Sequence, residues 1–256
     1  MILASVIVGL SLAMMVAWMV QRATSNAGLV DVIWTLALGG AGVAGGLAAA
    51  SPRGLLVAGL AALWALRLGG HILRRNWGAP EDARYARLRA LWGAAFEPRM
   101  FAFLQIQALA AAILSLSFLA AARNPAPLGL ADLAGLALFL AGIAGGALAD
   151  AELARFRRNP AHRGAVCDVG LWRHSRHPNY FFEFLAWCAW PFLAFAPGYA
   201  WGWVAFSGPA LMYWLLVHVS GIPPLEDAML RSRGERYRAY QARTRAFFPI
   251  KKRDAR

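Results

Sequence analysis

The sequence predicts an all-α, polytopic integral membrane protein with seven transmembrane helices, cytoplasmic loops and a basic C-terminal tail. Three observations predict it. The chain is 59% apolar and only 15% charged. Its apolar runs repeatedly reach about 20 residues, the length that crosses a bilayer. Its basic residues also gather in alternate connections, as the positive-inside rule requires.

The spans fall at about 2–20, 28–50, 54–73, 101–122, 128–150, 180–198 and 200–220, within a single domain over 1–256. The first run lacks a basic start and a small-residue cleavage site after a short apolar core, so it reads as a span and not as a signal peptide. The second carries Asp31, Trp34 and the pairs Gly39-Gly40 and Gly45-Gly46, which read as close-packing points between helices. Arg67 and His71 lie four apart on the third. The 74–99 connection contains Pro80-Glu81-Asp82, a helix start whose acids complement the macrodipole. The helix that follows reads as an interfacial amphipathic one, or as a cap over a cofactor pocket. Gln105 and Gln107 lie early in the fourth span. The fifth contains Gly145-Gly146, another packing point, and closes on Asp150 and Glu152. After it, Arg155, Arg157, Arg158, Arg163, Arg173 and Arg176 crowd one short connection. Guanidinium groups bind phosphate oxygens bidentately, so phosphate recognition is one use for such a cluster.

Placing the N-terminus outside puts 23 of the 26 basic residues on the cytoplasmic side. Arg53 and Arg123 are left outside and Arg67 within the third span. The net charge of +13 is accounted for by topology and anionic membrane lipids. No DNA- or RNA-binding motif accompanies it, so no nucleic-acid partner is expected.

Cys167 and Cys188 are too few for a disulfide framework or a thiolate cluster. His162, His174 and His177 share one loop without a coordinating Cys or a His-x-x-x-His pair, and no metal site is expected. There is no Gly-x-Gly-x-x-Gly after a strand, no Gly-Lys-Ser/Thr loop and no nucleophile elbow. His177-Pro178 marks a helix entrance, since Pro in the first turn loses no hydrogen bond.

Buried polar groups single out the candidate chemistry. Asn179 and Glu183 share one helical face with Trp187. A charge at mid-bilayer costs about 2.5–3.5 kcal/mol on insertion scales, so such groups face a partner or a cavity. Asp31 either pairs with Arg67, fastening two helices, or keeps its proton by desolvation and donates a hydrogen bond.

Four segments together resemble the bacterial branch of the steroid 5-alpha-reductase family, DUF1295. They are Leu171-Trp172-Arg173-His174-Ser175-Arg176-His177-Pro178-Asn179-Tyr180-Phe181-Phe182-Glu183, Asp31-Val32-Ile33-Trp34, Glu81-Asp82-x-Arg84-Tyr85, and the ending Tyr237-x-x-Tyr240-x-x-x-Thr244-x-x-Phe247-Phe248-Pro249. The resemblance implies a bacterial inner-membrane enzyme that binds NADPH from the cytoplasmic side. It would reduce the carbon–carbon double bond of a lipophilic, steroid-like 3-oxo-4-ene substrate. Asn179 and Glu183 match the family's cofactor contacts, and Trp187 its nearby aromatic. Asp150, Arg155 and Arg158 resemble further cofactor contacts, and Arg176, Tyr180, Tyr237 and Tyr240 are assigned to the same pocket. Glu226, after Pro223-Pro224, belongs to its lid.

A Gln-Glu pair and a Tyr address the substrate carbonyl in the animal enzymes, and this chain departs from that pattern. Asp31 stands near the Glu position and His71 near the Tyr position, which makes them the catalytic candidates. Trp34, Arg67 and Gln105 are assigned to the substrate.

Two other functions are compatible with the same residues. Arg-His-Pro-x-Tyr also opens a span in isoprenylcysteine methyltransferases, which use S-adenosylmethionine. A noncatalytic lipid-binding protein could carry Asp31 and Arg67 along a polar path.

Overall fold

The structure, a computed structural model, describes residues 2–250. Lys251, Lys252, Arg253 and Arg256 of the expected basic tail lie outside the described residues. Among the described residues every regular element is helical, and the only extended pairing is one isolated parallel bridge, Ser175 to Arg245.

The α-helices are α1 (Ile2–Thr24), α2 (Val30–Leu47), α3 (Pro52–Asn76), α4 (Ala83–Trp92), α5 (Phe96–Ala122), α6 (Leu130–Arg158), α7 (Pro178–Trp187), α8 (Ala189–Ala194), α9 (Ser207–Trp214), α10 (Ile222–Arg233) and α11 (Glu235–Arg243). Against the seven spans expected, six stretches are long and apolar enough to cross a membrane. They are Ile2–Thr24, Ala27–Leu47, Pro52–Asn76, Arg84–Ala122, Leu130–Arg158 and Ala200–Arg233. Their outward faces carry large apolar side chains such as Ile7, Val8, Leu12 and Leu66, as a lipid-facing surface does.

The expected span at 180–198 is the exception. Pro191 has no N–H to give the carbonyl of Trp187, and the helix breaks at Cys188 into α7 and the six-residue α8. The expected 200–220 span is also irregular. It opens as a 3₁₀ turn at Ala200–Phe206, continues as α9 and closes as a π turn at Leu215–Val219.

The chain divides into two compact units, one built from the residues up to Asp132 with Trp190–Gly208, the other from Leu133–Ala189 and the chain from Pro209 onward. In the first, α2 and α3 meet through small residues. A Cβ on Gly46 would fall 2.5 Å from the carbonyl oxygen of Gly54, and one on Gly39 would fall 2.2 Å from the Cβ of Ala65. Ser51 caps α3, accepting from the Gly54 N–H at 3.0 Å, and Pro52 follows in the first turn. Phe118 stacks edge-on against Trp190 at 4.7 Å inside this core.

Arg53, expected in an outer loop, is instead buried. It pairs with Asp132 and donates to the carbonyls of Leu193, Ala126 and Pro127, so a single guanidinium closes one end of the unit.

In the second unit, α6 and α7 touch as tightly. A Cβ on Gly142 would fall 2.5 Å from the backbone nitrogen of Ala186, and one on Gly145 would fall 2.3 Å from the ring of Phe182. Phe184, Tyr213 and Phe247 form a mutual cluster, with centroids 5.4–5.7 Å apart. It seats the chain's closing segment beside α7. Gly234, at φ +52°, makes the left-handed turn between α10 and α11 that a side chain would strain.

Candidate functional site

The second unit holds a cavity of about 530 Å³, within the usual range for a small-molecule or cofactor site. The sequence builds it in four steps. First, α6 delivers Arg157 and Arg158 on its last turn and then stops. Asn159 turns its side chain onto the Ala161 N–H, and Pro160 cannot continue the helix. His162 then stacks on Phe156, with centroids 4.1 Å apart.

Second, the 170–173 turn is pinned to α6. Glu152 accepts from the Leu171 N–H at 2.9 Å, and the Trp172 indole donates to the Ala149 carbonyl at 2.9 Å. Gly170 has φ +56°, and a Cβ there would strike the Glu152 carboxylate.

Third, the closing segment returns to this turn. The Arg176 N–H donates to the Arg245 carbonyl, and Ser175 Oγ to those of Ala246 and Phe247. Tyr240 donates its hydroxyl to the carbonyls of Trp172 and Ser175. Burial pushes the Tyr237 and Tyr240 hydroxyls above their usual range, so both stay protonated donors at neutral pH.

Fourth, α10 and α11 close the wall with Leu225, Met229, Arg233, Tyr237 and Tyr240.

Glu226 organises that wall. Arg176 donates to its carboxylate through Nε and Nη2, Gln241 donates at 2.7 Å, and His177 Nε2 lies 3.0 Å from Oε1. Burial holds the imidazole below its ordinary pKa despite the opposing hydrogen bond from Glu226. The neutral ring therefore carries its proton on Nε2, and Nδ1 is buried without a hydrogen-bond partner.

Of the residues assigned to a cofactor from sequence, Arg158, Arg176, Tyr237 and Tyr240 line this cavity. Asp150, Arg155, Asn179, Tyr180, Glu183 and Trp187 lie outside its lining. Asn179 donates to Asp150 at 3.2 Å, joining α7 to α6. Glu183 is buried and accepts from the Trp187 indole one turn along at 2.9 Å. Arg157, Arg163 and Arg233 also line the cavity and are not among the residues assigned from sequence. The first two were visible in the arginine-dense loop. Arg233 was not, because only the α10–α11 fold brings it there.

The assigned substrate and acid residues belong to the first unit. Asp31 accepts from Tyr85 at 2.8 Å and from Arg84 at 2.5 Å. Its carboxylate thus accepts from both, and the guanidinium paired with it is Arg84. Asp82 caps α4 from just outside it, where the sequence had placed both acids in the first turn. Glu81 receives the Arg89 guanidinium and the Ala27 N–H, and the Arg89 hydrogen bond lowers its pKa. The Trp34 indole donates to the Gln107 carbonyl at 3.0 Å, and Gln105 accepts from Ser11 at 2.7 Å. Arg67 and His71 are half-buried on α3.

No curated protein and no solved structure matches the chain. A family model described as a protein of unknown function, DUF1295, matches residues 17–244, and the chain belongs to that family.

Proposed function

We propose that the protein is a membrane reductase that binds NADPH and reduces the carbon–carbon double bond of a lipophilic enone, a steroid-like 3-oxo-4-ene being the leading candidate. The observation that carries this reading is the cavity's charge. Five arginines line it, and among the described residues Arg158, Arg163 and Arg233 have no acidic partner. A dinucleotide phosphate offers what unpaired guanidiniums need, several phosphate oxygens on one ligand. Trp172, Tyr237 and Tyr240 add aromatic wall for its bases. The residues therefore fit the cofactor, and Arg158, Arg163 and Arg233 would hold it. When bound, NADPH supplies the hydride.

The chain's own contribution would be the proton and its placement. Asp31 is already engaged as an acceptor, so the group beside it that carries a proton is the Tyr85 hydroxyl. Arg84 pairs with Asp31, and Asp31 in turn orients Tyr85. A hydroxyl held this way can stabilise a developing enolate. His71, Trp34, Arg67 and Gln105 complete the proposed acid and substrate residues.

The same reading takes α7 and α8 together as a seventh, broken span, with the N-terminus outside and the cavity arginines facing the cytoplasm of a bacterium.

An S-adenosylmethionine site is disfavoured by the same charge. A sulfonium cofactor is itself cationic, and arginines repel it. The test is mass spectrometry of progesterone incubated with purified protein and NADPH. Gain of two hydrogens supports the reading, and unchanged substrate across a panel of lipophilic enones contradicts it.

A further inference from the structure

At one end of the first unit α1 and α3 finish, α5 begins, and α4 is attached. The Trp18 indole donates to the Glu97 carbonyl, Asn26 to the Ala79 carbonyl and the Ala27 N–H to Glu81, so these segments share one surface. With 27 residues α5 is about 40 Å long, enough for a bilayer by itself. α4 is therefore surplus to the crossing. Gly93, at φ +49°, turns the chain between the two, and a second left-handed glycine, Gly78 at φ +68°, precedes α4.

The two faces of α4 differ. Inward, Arg84 and Tyr85 donate to Asp31, and Arg89 donates to Glu81. Among the described side chains of α4 Tyr85 alone is buried, a shallow seat for a ten-residue helix that is marginal by itself. Outward, Arg87 and Leu91 stand exposed one turn apart, and Arg74, Trp77 and Arg99 are exposed at the same end. Counting Arg22, Asp31 and the 74–99 stretch, seven arginines face four acids. Those acids are already engaged, Asp31 and Asp82 by Arg84, Glu81 by Arg89 and Glu97 by Gln21. Trp77 and Leu91 are 76% and 72% exposed, and arginines interleaved with Trp and Leu are what seats a helix in a headgroup layer.

We infer that the outer face of α4, together with Trp77, docks on anionic phospholipid headgroups at the bilayer surface, and that this docking holds Tyr85 on Asp31. The guanidiniums take the headgroup phosphates, while Trp77 and Leu91 enter the layer beneath them. Met19 on α1 and Leu66 on α3 continue the exposed apolar surface from this end, which places it at the edge of the lipid-facing wall. In the orientation proposed above it meets the cytoplasmic leaflet, the anionic one. The docking is independent of the reaction, whereas its effect on turnover rests on the reading of Tyr85 as the acid.

Hydrogen exchange and enone turnover of the full chain test this in nanodiscs of phosphatidylcholine alone or mixed in equal parts with phosphatidylglycerol. The α4 amides are expected to exchange at least about tenfold more slowly in the anionic discs, where each arginine at the surface adds attraction, while those of α2 and α3 stay equal and certify the fold. The kcat should rise with that protection. Arg87→Gln/Arg99→Gln should match the wild type in phosphatidylcholine and lose the response to phosphatidylglycerol, whereas Arg238→Gln, exposed on α11, should keep it. Equal α4 exchange in the two discs, or a full response in the double variant, would overturn the docking. Slower exchange with unchanged kcat would overturn the coupling to Tyr85 alone. No turnover of any enone in either disc would contradict the reductase reading, and the exchange result would still decide the docking.

Discussion

Arg176 grips Glu226 with two parallel hydrogen bonds, Nε to Oε1 at 2.7 Å and Nη2 to Oε2 at 2.9 Å, across 50 residues of chain. Both side chains are nearly buried, at 10% and 14% exposed. This pair joins the entrance of α7 to α10, so the cavity wall depends on it.

Breaking it from one side should therefore be expensive. Glu226→Ala leaves Arg176 buried and unpaired, a change that typically costs about 3–5 kcal/mol. The double variant Arg176→Met/Glu226→Leu should lose much less than the sum of the single changes. Thermal unfolding of the four proteins in detergent measures the coupling.

His177 gives the same wall a pH dependence. Burial holds its pKa below the ordinary 6.5 in the folded protein, although Glu226 pulls the other way. As pH falls through 6.5 the unfolded chain takes up a proton that the native imidazole refuses, so stability declines until the folded pKa is reached. Above 6.5 both states are neutral and the contribution is flat. His177→Gln should lessen the fall in melting temperature between about pH 7 and pH 5.

The contact between α2 and α3 predicts contrasting outcomes at two glycines. Gly46→Ala forces a methyl onto the Gly54 carbonyl and should destabilise by about 1–3 kcal/mol. Gly40→Ala meets nothing within 4 Å and should be neutral or gain up to about 1 kcal/mol of helix propensity. Paired melting curves distinguish them.

If Tyr85 is the acid and Asp31 its orienting partner, Tyr85→Phe should slow enone reduction by about 10²–10⁴-fold, the usual worth of general acid catalysis. Asp31→Asn should slow it less. Both should keep NADPH affinity, so single-turnover rates beside binding isotherms separate this role from a cofactor contact.

The helices that the sequence announced are those whose signal is local. Runs such as 2–20 and 54–73 depend only on length and apolarity, and α1 and α3 appear where those runs lie. His177-Pro178 opens α7 as expected. The break within the 180–198 run was not legible because hydropathy weighs Pro191 as one more apolar residue, whereas the helix feels its missing N–H. Distant pairings were not legible at all. Arg53 reads as a loop charge until Asp132, 79 residues on, comes to meet it. Asp31 has Arg67 on a neighbouring span in sequence, yet Arg84 reaches it from α4. The arginine loop was legible as a cluster, but which of its members line one cavity was not. Glu226 takes up the Arg176 guanidinium, and the α10–α11 turn adds Arg233 to the lining.

The central claim is that unpaired arginines in the second unit hold a phosphorylated dinucleotide. Calorimetric titration of NADPH into the wild type and into Arg158→Ala/Arg233→Ala tests it most directly. The account predicts saturable binding by the wild type and at least about a tenfold loss in the variant. Unchanged affinity in a folded double variant, or no binding by the wild type, would contradict it.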